Sequence, residues 1–295
     1  MSWRFGGLSV ERIVESDGPL LSPFEIFPDA TPDHLAAERR WLGPRFRDPA
    51  TGLLTITIQS FLIRRPGLTI LVDTCAGNHK RRARADFDGR EWPWLDRLAA
   101  AGVRPEDVDI VMCSHLHVDH VGWNTRAMNG RWVPTFPRAR YLFSRREWDY
   151  WRAESARDGL PRTGDYVADS VLPVVAAGQA EMIDEDFALG PELWLEAAAG
   201  HTPGHFVTHL AGKAILSGDL FHHPLQLRYP HWSTRFCADQ EAARATRLRL
   251  LNAWADRDTL ILPAHFPAPS CGHVLRHHDH FAFRFDGEPA PFPHG

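Results

Sequence analysis

At 295 residues, with 44% hydrophobic and 24% charged residues, the chain can bury a substantial core as one large domain or two small ones. A net charge of -4 offers no basic footprint, which argues against nucleic acid as the main partner, and no apolar run reaches transmembrane length. The N-terminal Met1–Ser16 lacks the basic region, apolar core and cleavage site of a secretory signal, and the four cysteines show no C-x-x-C spacing; a reducing cytoplasm is expected, with no disulfide framework.

Pro19–Thr51 is Pro-rich, resists assignment and is expected to be a loop that covers a site. The β-branched Leu53–Arg64 meets Leu68–Val72 across an Arg-Pro-Gly turn, which predicts a hairpin. The basic run Lys80-Arg81-Arg82-Ala83-Arg84, followed by Asp86 and Asp88, reads as a solvated loop. Trp92–Ala101 is a short helix ended by Gly102, Val108–Cys113 and Arg140–Phe143 are strands, and Arg145–Glu154 is a helix. Ala156–Gln179 mixes Gly and Pro with a helix from Asp165 to Ala177, and is a second covering segment. Leu193–Ala198, Ala214–Leu216 and Thr259–Leu262 are short apolar strands. Asp239–Trp254 is a helix capped by Asp239, with Ala242, Ala245, Leu248, Leu250 and Leu251 as its apolar stripe. Val274–Phe285 is a final hairpin, with His277, His278, Asp279 and His280 at its solvated turn. Nothing resembles an interdomain linker, so one domain is expected over 1–295, with an N-terminal extension of about 1–50 and a core of about 53–285.

Five polar clusters each follow an expected strand: Asp73; then His115, His117, Asp119 and His120; then His201, Asp219 and His265. Three imidazoles and a carboxylate within Ser114-His115-Leu116-His117-Val118-Asp119-His120 are hard to explain as packing. Imidazole nitrogen and carboxylate oxygen are the ligands that zinc and its first-row neighbours prefer. Strands sharing a sheet bring their ends together, which is the convergence a metal site needs. No G-x-S-x-G elbow points to a serine hydrolase.

In order, these signatures resemble the metallo-β-lactamase superfamily: Leu71-Val72-Asp73-Thr74, the His-rich run, Gly200-His201-Thr202-Pro203-Gly204-His205, Ser217-Gly218-Asp219 and Ala264-His265. The resemblance spans roughly Leu53 to Val274. It implies an α/β (α+β) fold, the αββα sandwich of two mixed β-sheets flanked by helices, holding two divalent ions. By position, the first ion would take His115, His117 and His201; the second would take Asp119, His120 and His265; Asp219 would bridge them. Asp73 would orient a ligand imidazole from behind, and His205 would lie in the same outer layer. Five neutral imidazoles and two carboxylates carry minus two against plus four. The surplus lowers the pKa of a bridging water, whose hydroxide is the nucleophile, while Asp119 accepts or relays a proton.

Departures narrow the branch. His117 stands where flavodiiron proteins carry Glu, true metallo-β-lactamases lack the bridging Asp219, and nuclease members show basic surfaces. The chain looks like the quorum-quenching lactonase and methyl parathion hydrolase branch. That resemblance rests on Gly122-Trp123-Asn124, Val133-Pro134-Thr135-Phe136-Pro137, Arg145-Arg146-Glu147-Trp148 and Gly218-Asp219-Leu220-Phe221-His222. Short acyl-homoserine lactonases place a Tyr three residues after the bridging Asp; here His222 either replaces that donor or lines the pocket. Trp123, Phe221 and Trp232 are pocket-wall candidates, as against plain core aromatics. His209 should face a strand neighbour, and His223 and His231 should lie at the pocket mouth or on the surface.

The resemblance implies a dinuclear hydrolase that opens a lactone or cleaves a related ester, with phosphotriesterase side activity. Its ions are expected to be zinc, with Mn, Co or Fe as alternatives, and its partner a small ester or lactone rather than nucleic acid or membrane. A homodimer is also expected from long lactonase relatives. The competing readings are a mono-iron persulfide-dioxygenase-like enzyme, which would leave Asp119, His120 and His265 unligated, a β-lactamase-like amide hydrolase, and a non-catalytic binding member.

Overall fold

In the computed structural model, which describes residues 1–184 and 186–289, the chain opens with a hairpin of β1 (Ser2–Phe5) and β2 (Leu8–Leu21). These strands join a sheet, where the sequence suggests an extension outside the core. Their alternation is hard to read because the buried positions Leu8 and Val10 give way to Ile13 and Glu15, a slip of one residue ending on a buried acid. The Pro-rich stretch that follows carries two short helices, α1 (Pro23–Ile26) and α2 (Pro32–Ala37).

The expected hairpin is present as β3 (Leu54–Arg65) and β4 (Leu68–Val72), paired antiparallel. After α3 (Trp94–Ala100), the fully buried β5 (Ile110–Met112) runs parallel to β4. A small hairpin, β6 (Thr125–Met128) and β7 (Arg131–Pro134), precedes β8 (Arg140–Ser144), which runs parallel to β5. Helix α4 (Arg145–Asp158) extends past its expected end to Gly159, which takes the left-handed φ of 68° that stops a helix. The helix expected from Asp165 to Ala177 is broken at Val171 into α5 (Tyr166–Ser170) and α6 (Leu172–Ala176), with Pro173 in the first turn of the second. With β9 (Ala180–Ile183) the first sheet has the order β1-β2-β3-β4-β5-β8-β9.

The second sheet runs in sequence order through β10 (Leu193–Ala197), β11 (Phe206–Leu210), β12 (Ala214–Gly218), β13 (Leu260–Pro263), β14 (Gly272–His277) and β15 (His280–Phe285). Only β12 and β13 are parallel, and every residue of both is buried, as strands covered on two faces require. Between them lie α7 (Leu225–Arg228) and α8 (Gln240–Trp254), the latter capped by Asp239. Two large mixed sheets with helices give the mixed α/β class that the sequence implies. The chain divides into a first unit of Met1–Ser16 with Ile58–Phe187, and a second of Asp17–Thr57 with residues 188 onward. No helix among the described residues is long and apolar enough to cross a membrane.

Three expectations need correction. The buried face of α8 is Ala243, Arg247, Leu250, Leu251 and Trp254, while Ala245 is exposed. Arg247 belongs to that face because its guanidinium donates to the carbonyls of Leu220, Pro230 and Trp232. The basic run is not simply solvated. Arg82 forms a bidentate pair with Asp169 at 2.6 and 2.8 Å. Lys80 donates to Thr125 Oγ1 at 2.8 Å and sits 3.7 Å over the Trp132 ring, and burial brings its pKa down to about 7. Their acidic partner is 87 residues from Arg82, out of reach of local pattern.

His223 is fully buried rather than at a pocket mouth or on the surface. Its Nε2 donates to Phe46 O at 3.0 Å and its Nδ1 accepts from Leu225 N at 3.2 Å, so the neutral ring is satisfied on both sides. Burial brings its pKa down from 6.5 to about 4. A depressed folded-state pKa means that its contribution to stability is complete above about 6.5 and is lost as pH falls towards 4. His223's own share of the stability of metal-free protein is expected to fall by about 3 kcal/mol over that window, while the raised pKa of the Glu15 carboxyl shifts stability in the opposite sense there. Denaturant midpoints of the wild type and His223→Gln from pH 7 to pH 4 check this; parallel curves for the two would remove His223 as the cause.

Candidate metal centre

In the first unit the parallel pairing Val72↔Met112 makes the chain leave β4 and β5 at the same edge. Asp73 and Ser114-His115 therefore emerge side by side. The Asp73 carboxylate accepts from Ser114 N at 2.7 Å and Ser114 Oγ at 2.9 Å, and faces His120 Nδ1 at 2.9 Å. A carboxylate only accepts, so His120 carries its proton on Nδ1 and keeps Nε2 as the lone-pair nitrogen. The ring of His115 lies 4.7 Å from that of His117 and 4.1 Å from that of His120. Asp119 Oδ1 is 3.9 Å from His120 Nε2. This run of four thus forms one cluster backed by Asp73.

Two buried acids absent from the sequence-derived site support this cluster. Glu147, at the start of α4, accepts from Leu116 N at 3.0 Å and from the indole of Trp151 at 2.8 Å. The Trp151 ring in turn lies edge-on to His117 at 5.0 Å. Glu15, on β2, accepts from Ala76 N at 2.9 Å, Gly77 N at 3.0 Å and Trp123 Nε1 at 2.7 Å, and burial pushes its pKa up to about 7. The segments these residues join are already in backbone contact. Gly122 N donates to Cys75 O at 2.7 Å, Trp123 N to Thr74 O at 2.8 Å and Thr74 N to His120 O at 2.8 Å.

In the second unit the parallel pairing Gly218↔Pro263 does for Asp219 and His265 what β4 and β5 do for Asp73 and His115. Asp219 Oδ1 lies 3.0 Å from His265 Nε2, and Oδ2 lies 3.3 Å from His201 Nε2 and 3.1 Å from His222 Nε2. His265 Nδ1 is 2.9 Å from Thr57 O, which can only accept, so that nitrogen carries the proton. In the neutral ring Nε2 then turns a lone pair towards a carboxylate oxygen. A cation makes that contact favourable, either a proton on the ring or a metal ion in its place. The donor set therefore fits a divalent metal.

His201 sits in the loop from β10 to β11. Gly200, with φ +131°, lets that loop press on α8: an added Cβ would lie 2.2 Å from Ala243 N. Ala238 N donates to His201 O and Asp239 N to Gly200 O, and Cys237 Sγ lies 3.6 Å from His201 Nδ1. His205 faces the backbone instead, with Nδ1 on Ala198 O and Nε2 accepting from Asp219 N. The His222 ring is stacked 5.4 Å from that of His265.

The pocket-wall candidates are all packed. Trp123 stacks on Trp94 at 5.5 Å, Phe221 lies 5.4 Å from Phe266, and Trp232 stacks on Tyr229 at 4.2 Å. His209 stacks on Trp194 and bonds to Glu196, a β10 neighbour, while His231 is exposed.

A family model described as the Metallo-beta-lactamase superfamily matches residues 56–265. An N-acyl homoserine lactonase from a Bacillus species is 28% identical over 183 residues, 57% of this chain and 65% of that protein. A Bacillus cereus protein of the same name is 26% identical over 183 residues, with the same coverage. The chain thus spans just under two thirds of the length of the curated relatives it matches. Two solved structures, each 23% identical, share the fold. The dizinc quorum-quenching lactonase AidC, in complex with a product, has a TM-score of 0.80 over 98% of both chains. The hydrolase AbOPH of the beta lactamase superfamily has a TM-score of 0.79 over 98% of this chain and 97% of its own.

Proposed function

The chain belongs to the metallo-β-lactamase superfamily, and we propose that it is a dinuclear metal-dependent hydrolase that opens a lactone or cleaves a related ester. His115, His117 and His201 would hold one ion and Asp119, His120 and His265 the other, with Asp219 shared. Bound there, two divalent ions, most simply zinc, would supply Lewis acidity and hydroxide near neutral pH. The chain's own residues do the rest. Asp73 and Thr57 O keep the imidazoles of His120 and His265 in the tautomer that turns Nε2 outward. Asp119 accepts a proton from the attacking water and returns it to the leaving alkoxide. His222, in the place of the Tyr of short lactonases, donates to the substrate carbonyl through a ring held beside Asp219.

The convergence of three imidazole nitrogens on the single carboxylate of Asp219 carries this reading. A lactone is favoured over an amide by the presence of Asp219 itself and by the curated relatives, both named as N-acyl homoserine lactonases. Phosphotriester cleavage is a side activity of the same centre. Four free cysteines suit a reducing cytoplasm, where we place the enzyme.

The test is metal analysis joined to turnover. Protein as purified should carry two ions per chain and hydrolyse N-acyl homoserine lactones or aryl esters. A chelator should remove the activity, and two equivalents of zinc, manganese or cobalt should restore it. One iron per chain with oxygen consumption on a persulfide would replace this reading with the mono-iron one.

A further inference from the structure

Glu15 is 1% exposed, lies on a strand remote in sequence from every cluster above, and has no part in the chemistry just proposed. Its carboxylate is nonetheless fully engaged. Oε1 accepts from Gly77 N and from the Trp123 indole, and Oε2 accepts from Ala76 N. These donors belong to two segments: Ala76 and Gly77 follow Asp73 out of β4, and Trp123 follows His120 out of the His-rich run.

We propose that Glu15 is a positioning residue for the ion that Asp119 and His120 hold, locking the segment 73–77 against the segment 120–124. This rests on the metal-dependent reading above. The physical path is short. The carboxylate fixes Ala76–Gly77 and Trp123; Gly122 N and Trp123 N bond back to Cys75 O and Thr74 O; Thr74 N bonds to His120 O. At the far end Asp73 holds His120 Nδ1. His120 is therefore gripped at its ring by the start of one segment and at its carbonyl by that segment's next residue. Glu15 keeps the two segments from sliding past each other.

A carboxylate is needed because three N–H groups converge on two oxygens. A glutamine would turn an amide N–H towards one of them, and an aliphatic side chain would strand all three. Outer-layer partners of this kind typically tune metal affinity or activity by about 10–100-fold.

The test measures affinity for each zinc equivalent by chelator competition in the folded full chain, with thermal melting of metal-free protein alongside. Glu15→Leu is expected to weaken binding of one zinc equivalent by about 10–100-fold while leaving the other near wild type, and Glu15→Gln is expected to do so less. Trp123→Phe removes one of the three donors and keeps a ring. It should weaken the same equivalent, and in combination with Glu15→Gln the losses should not add. If Glu15→Leu does not fold, Glu15→Gln and Trp123→Phe decide the matter. Variants that melt lower without metal yet bind both equivalents like wild type would reduce Glu15 to a fold-supporting role and overturn the proposal. A wild-type chain that binds no zinc would overturn the metal reading itself, and this proposal with it.

Discussion

Asp219→Ala should cut lactone or ester turnover by about a thousandfold or more, the equivalent of about 4 kcal/mol of lost transition-state stabilisation. Three imidazole nitrogens face this one carboxylate at 3.0–3.3 Å. Its removal takes one of the two negative charges from the proposed ligand set and leaves His201, His222 and His265 without the carboxylate that all three face. Asp219→Asn makes the sharper comparison. The amide is nearly isosteric and can donate N–H to Nε2 of His265 without the proton or ion that the wild-type carboxylate needs across that contact. Metal-free Asp219→Asn should therefore melt at or above wild type while retaining less metal and turning over far more slowly. Such a trade of stability for function is common where a site is built for an absent charge. Melting curves in chelator and metal content after dialysis check both halves. An Asn variant that is less stable without metal and fully active with it would remove Asp219 from the centre.

Gly122→Ala should cost more stability than the same change at Gly77 or Gly164. A Cβ at residue 122 would fall 1.9 Å from Ala76 C, 2.0 Å from Ala76 O and 2.4 Å from Gly77 N, all backbone atoms. No rotamer change relieves a contact with backbone. The two segments must separate, and the bonds Gly122 N to Cys75 O and Trp123 N to Thr74 O stretch with them. A cost of about 3–4 kcal/mol is expected, beyond ordinary overpacking, with a fall in melting temperature of roughly 10 °C. Gly43→Ala is the control: its Cβ meets nothing within 4 Å, and it should leave the melting point close to wild type. A Gly122→Ala protein as stable as this control would contradict the tight packing of the two segments.

The parts of this chain that could be read from its sequence are those where period or residue type repeats locally. The β-branched run of β3 with its Arg-Pro-Gly turn, the capped α8 and the positions of the His and Asp clusters just past strands all follow from patterns within ten or fifteen residues. What escaped reading is polar, buried and paired at a distance. Glu15, Glu147 and Arg247 look like surface residues in any window, because the groups that satisfy them lie elsewhere in the chain. His222 and His223 are neighbours of the same type with different roles: one ring lies against Asp219, while the other is bonded to Phe46 O 177 residues away. Only the paths of the backbone after β12 and after α2 separate them.

The division of the chain also bears on its synthesis. The first unit has all of its residues once Phe187 has left the ribosome, whereas Asp17–Thr57 belongs to a unit whose remaining strands begin only after residue 188. Within that segment, residues 22–53 between β2 and β3 emerge early and wait for their partners, through the interval in which nascent chains meet chaperones and proteases. How this stretch behaves alone therefore matters as well as where it ends up. Its helices of four and six residues and its prolines suit that interval, since short, Pro-punctuated chain is a poor template for strand addition.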